Sequence, residues 1–179
     1  MKQLFPVVIV VVAVVVFGAA WMLTKKEAPI AVTNFAECAA AGYPVMESYP
    51  RACSDGERTF TEEVGNELEK SNLIRLDNPR PNTTVSSPLT ITGEARGNWF
   101  FEASFPVVLA DWDGRIIAQG IATAQGEWMT TEFVPFTATL KFVADPAAYS
   151  NRGSLILQKD NPSGLPEHDD ALEVPVFIK

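Results

Sequence analysis

Histidine and cysteine are scarce in this chain: one of the former and two of the latter among 179 residues. A single imidazole, His168, leaves little for a zinc centre, which wants four ligands. No Gly-x-Ser-x-Gly elbow offers that histidine a nucleophilic serine. Basic residues are also short, 14 against 22 acidic ones, for a formal charge of -8. The first 26 residues hold three lysines and no acid, so the remainder carries -11. Binding to a phosphate backbone needs clustered cations that displace counterions, so no nucleic acid partner is expected. Internal repeats and low-complexity tracts are absent, and no helical period is sustained after the N-terminal segment.

What is present begins with an unbroken apolar run of 20 residues, Leu4 to Leu23. As a helix it would span about 30 Å, the hydrocarbon thickness of a bilayer. Pro6 falls in the first turn, where a missing N–H costs little, and Lys25 and Lys26 mark an interface. Residues 1–26 therefore read as a single-pass anchor with a cytoplasmic N-terminus and an extracytoplasmic body. Secretion after signal cleavage near Gly18-Ala19-Ala20 is the alternative, but the apolar run continues through Trp21, Met22 and Leu23. Residues 27–71 divide into a spacer, a loop-rich module around Cys38 and Cys53, and an acidic stretch, Glu62 to Ser71, expected to be a flexible connector or a short helix. In an exported segment the two cysteines, fifteen positions apart, are expected to form a disulfide, a constraint worth about 3 kcal/mol.

From about Asn72 to Lys179 the period becomes two. Phe136, Ala138, Leu140 and Phe142 alternate with polar residues, and so do Leu172, Val174, Val176 and Ile178 with Glu173, Pro175, Phe177 and Lys179. Trp99, Phe101, Ala103, Phe105, Val107 and Leu109 read as one face of a longer strand. Shorter strands are expected at 73–76, 89–94, 115–123 and 154–159, separated by turn signals such as Asp113-Gly114, Gln125-Gly126 and Asn161-Pro162. Seven short strands without helices predict an all-β, antiparallel sandwich of residues 72–179. Pro106 and Pro175 predict edges or bulges.

The stretch Ser86-Ser87-Pro88-Leu89-Thr90-Ile91-Thr92-Gly93-Glu94-Ala95-Arg96-Gly97, with Trp99-Phe100-Phe101-Glu102, Phe105-Pro106-Val107 and the ending Lys159 to Pro166 with Asp169-Asp170, resembles the immunoglobulin-like domain of bacterial spore germination proteins. The resemblance covers about residues 72–179. It implies an immunoglobulin-like sandwich serving as a non-catalytic surface or envelope module. The germination-type companion domain that often accompanies it is missing from this sequence, so a role in spores is not expected. The cysteine segment is similar to a short motif of small membrane-anchored bacterial proteins.

Candidate contact residues follow from these readings. Trp112, Trp128 and Phe133 are large rings suited to a protein or sugar partner, such as an envelope protein or glycan. The acidic loop carrying Asp160, Asp169 and Asp170 could hold calcium, joined by Asp111 and Asp113 if the fold brings the loops together, or could simply cap its own backbone. Asn82-Thr83-Thr84 fits a glycosylation acceptor. No other cofactor is indicated. The expected function is a membrane-anchored, non-enzymatic binding or structural module of the bacterial envelope. The alternatives are an enzyme with a carboxylate site and an inhibitor-like module presenting the loop from Tyr43 to Tyr49.

Overall fold

A computed structural model of the protein describes residues 31–179; the anchor expected at residues 1–26 lies outside them. No helix among the described residues is long and apolar enough to cross a membrane. Two units of structure follow one another along the chain. The first is small, and a disulfide holds it. Helix α1 (Phe35–Ala40) begins at Asn34, whose side chain accepts the Glu37 N–H, while Glu37 reaches back to the Thr33 N–H at 2.8 Å. This reciprocal cap fixes the helix start. Strands β1 (Val45–Met46), β2 (Ala52–Ser54) and β3 (Thr59–Thr61) form a three-stranded antiparallel sheet. Cys38 on α1 is bonded to Cys53 on β2, and both are fully buried with Val32 beneath Phe35, Tyr43 and Phe60. So few residues cannot make a self-sufficient core, and the cross-link compensates.

Helix α2 (Glu67–Lys70) leads into the larger unit, built from β4 (Ile74–Asn78), β5 (Thr84–Val85), β6 (Leu89–Arg96), β7 (Ser104–Asp111), β8 (Ile116–Ala124), β9 (Phe133–Leu140), β10 (Arg152–Gln158) and β11 (Ala171–Ile178). They form one eight-stranded sheet in the order β4-β6-β9-β8-β7-β10-β11-β5. Strands β8 and β9 pair only through Thr123–Thr137 and Ala124–Phe136, so the sheet curls at that seam. Its flanks close on each other over a single core. Ile74, Leu76, Ile91, Phe136 and Leu140 come from one flank, and Phe105, Leu109, Leu155, Leu172 and Val174 from the other. Phe105 meets Phe136 edge-on, with ring centroids 4.9 Å apart.

The period-two readings at 136–142 and 172–178 place the right residues inside, although β9 ends at Leu140 and Phe142 is buried beyond it. A strand is found within each of the seven expected stretches, though not always over its whole length. The long strand expected from Trp99 to Leu109 is not one strand. Residues Gly97–Trp99 form a 3-10 turn, and Glu102 and Ala103 reverse the chain at φ 50° and 61° before β7 begins at Ser104. Phe101 and Ser104 exchange both backbone hydrogen bonds at 3.0 Å across this two-residue turn. Alternation is lost there, so Trp99 and Phe105 enter the core while Phe101 stays exposed.

Pro175 sits on the outer edge of β11, beyond the two residues that β5 covers. Pro106 lies inside the sheet, paired with Ile121 of β8, where the β7–β10 ladder has already ended at Val107. The segment expected to be a flexible connector or a short helix holds the short helix α2 and is packed rather than flexible. Glu62, Val64 and Glu67 are buried, and Gly65 lies so close to Glu173 that a Cβ would fall 1.9 Å from its carbonyl oxygen.

Candidate functional site

The outer edge of β11 and the start of β10 carry a surface that neither unit makes alone. Two clefts meet there. One, of about 400 Å³, runs beneath Trp112 and Tyr149. The other, of about 740 Å³, runs under α1 and β3. Asn82, Arg152, Pro175 and Phe177 line both, so the clefts form one continuous surface.

Trp112 is held out from the β7–β8 hairpin by a tight turn. Asp111 Oδ1 accepts the N–H groups of Asp113 and Arg115 at 3.1 and 2.9 Å, and Gly114 supplies the left-handed φ of 78°. Burial pushes the Asp111 carboxyl up, but the two N–H groups and the Arg115 guanidinium together outweigh it and hold the group below the usual carboxylate range. The turn signal at Asp113-Gly114 is thus a hairpin. Trp112, 46% exposed, lies against Tyr149, 90% exposed, with ring centroids 5.5 Å apart and planes tilted by 52°. Arg152 opens β10 directly opposite Phe177 of β11, its guanidinium 5.8 Å from that ring centre. Every other arginine is ion-paired: Arg51 with Glu62, Arg58 with Asp55, Arg75 with Glu94, Arg80 with Glu67, Arg96 with Glu132 and Arg115 with Asp111. Among the described residues, Arg152 alone keeps a guanidinium with no carboxylate partner.

Packed side chains fix the floor between the clefts. Asn82, at φ 60°, donates its side-chain amide to Glu62 Oε1 at 3.2 Å and to the Glu63 carbonyl at 2.7 Å, while its backbone N–H reaches the Pro175 carbonyl at 2.7 Å. The sequon asparagine is therefore a structural clamp. Its amide is already engaged. Glu62 also receives two hydrogen bonds from Arg51, which hold its carboxyl below the usual range despite burial. A second clamp lies nearby: Glu67 accepts Arg80 at 2.6 Å and the Tyr49 hydroxyl.

The remaining sequence candidates are scattered. Trp128 is half-buried against the main core, and Phe133 lies under the guanidinium groups of Arg75 and Arg96 at 4.1 and 4.0 Å. Neither touches the Trp112 surface. Asp111 and Asp113 do not join Asp160, Asp169 and Asp170, because antiparallel pairing sets Asp111 against Gly153 at one end of β10 while the acidic loop leaves the other end. In that loop Asp170 pairs with Lys70 at 2.5 Å and Asp169 accepts Asn161 at 2.7 Å. No group of three or more His, Cys, Asp or Glu is arranged to hold a metal among the described residues. His168 is exposed on a 3-10 turn, Pro166–His168.

Tyr149, Arg152 and Phe177 were not singled out from sequence. Phe177 carried a readable signal, an aromatic ring at an outward position of a strand, whereas Arg152 stands out only once the other arginines are seen to be paired.

No curated protein and no solved structure matches the chain. A family model, described as the immunoglobulin-like domain of bacterial spore germination, matches residues 73–164, from just before β4 into the loop after β10 and over half of the chain. The chain belongs to that family.

Proposed function

We propose that this protein is a non-catalytic binding module of the bacterial envelope, held to the membrane by residues 1–26, which binds its partner on the Trp112–Tyr149–Arg152–Phe177 surface. The observation that carries this reading is the continuity of the two clefts across the small unit and the β10–β11 edge, with exposed rings and an unpaired cation along it. Exposed Trp, Tyr and Arg are the side chains that contribute most to binding energy at interfaces. The buried disulfide suits an oxidising space outside the cytoplasm, in agreement with the orientation expected for the apolar run.

Full-length protein in mild detergent, mixed with isolated envelope material, tests the surface. Trp112→Ala with Tyr149→Ala should bring retention down to background, while Ile121→Ser, an exposed change on β8, should leave it intact. Equal retention of all three proteins would refute the reading.

A further inference from the structure

Resting on that reading of the surface, the geometry points to a carboxylate-bearing glycan as its ligand, and we infer that Arg152 reads the carboxylate while the Trp112–Tyr149 rim carries the sugar face. The two exposed rings present flat apolar area with few rotatable bonds, which the C–H faces of a pyranose can cover. Gly153, next to Arg152, pairs with Asp111, next to Trp112, so the guanidinium and the indole stem from neighbouring strands about 4.8 Å apart. That is on the scale of one sugar ring.

A guanidinium forms forked, charge-assisted hydrogen bonds with a carboxylate, and among the described residues no acid occupies Arg152. The chain as a whole carries -8, so no long-range field gathers anions. Selection for an acid on this surface is local to Arg152. An acidic peptide fits less well. On the outer edge of β11 the backbone groups of Glu173 and the Pro175 carbonyl are already taken by Asn66 and Asn82, and the edge of β3 has only three residues, so an added strand would gain little main-chain bonding.

The test is calorimetric titration of the full-length protein in detergent with three probes: an oligomer of hexuronic acid, the same oligomer as its methyl ester, and an acidic peptide of equal charge. The uronate should bind about tenfold more tightly than the ester, the worth of one charge-assisted pair on an open surface. Arg152→Gln should remove that preference, and Arg152→Lys should restore part of it. Arg152 is exposed, so both variants should melt like the parent protein. Equal binding of uronate and ester, or a preference that survives Arg152→Gln, would overturn the inference. So would an Arg152-dependent peptide affinity matching that of the uronate. If no saccharide binds while envelope retention still depends on Trp112 and Tyr149, the glycan is wrong and the binding surface stands. Loss of that dependence removes both.

Discussion

Arg51 holds Glu62 with a two-point grip, Nε to Oε2 at 2.8 Å and Nη2 to Oε1 at 2.6 Å. Because Glu62 also accepts Asn82 of the larger unit, this pair ties the disulfide module to the sheet. Glu62→Gln should cost about 1–2 kcal/mol, toward the lower figure because Arg51 is half exposed. Hydrogen exchange at residues 59–61 should quicken before exchange in β6 and β9 changes.

The same pair sets an acid dependence. The carboxyl of Glu62 is held below its ordinary value of 4.5 in the folded state, so its contribution is complete above that value and is lost as pH falls through the lowered one. Melting temperature followed downward from pH 6 should fall more steeply for the parent than for Glu62→Gln. Parallel curves would contradict the assignment.

Leu140 is 1% exposed on β9, and its neighbour Thr139 faces solvent. Leu140→Asp buries an unpaired charge and should cost more than about 4 kcal/mol, enough to unfold the larger unit, while Thr139→Asp should stay within about 0.5 kcal/mol. Denaturant titration distinguishes them, and equal tolerance would mean that the register of β9 is wrong.

These strands were legible in the sequence because eight residues of alternation are long enough to show a period. Strands of two and three residues have no period to show. That is why β5 and the whole small sheet were missed and residues 38–53 read as loops. The proposed binding surface was half legible. A tryptophan beside a hairpin glycine announces an exposed ring, but pairing of six arginines is a property of three-dimensional neighbours, some as far apart in sequence as Arg96 and Glu132. Glu62 and Glu67 looked like solvated charge for the same reason, since their partners Arg51 and Arg80 come from different elements.

Cys38 and Cys53 should appear as one linked pair in the monomer on non-reducing peptide mapping. Replacing both by alanine should destabilise the small unit by about 3 kcal/mol and leave the main sheet's exchange unchanged. Free thiols or a covalent dimer in the native protein would contradict this.

Calcium at millimolar concentration should leave the melting temperature unchanged, since Asp170 and Asp169 are engaged by Lys70 and Asn161. A ligand that binds only the folded state raises that temperature with its concentration. A rise that Asp169→Asn and Asp170→Asn abolish would make the acidic loop a calcium site after all.

The most direct measurement of the proposed binding surface is a hydrogen-exchange footprint of the full-length protein with and without envelope material. Protection should fall on residues 59–61, 149–154 and 175–178, the strands and loop that line the joined clefts. Protection confined instead to the exposed face of β8 around residues 116–121, or to no segment, would contradict the account.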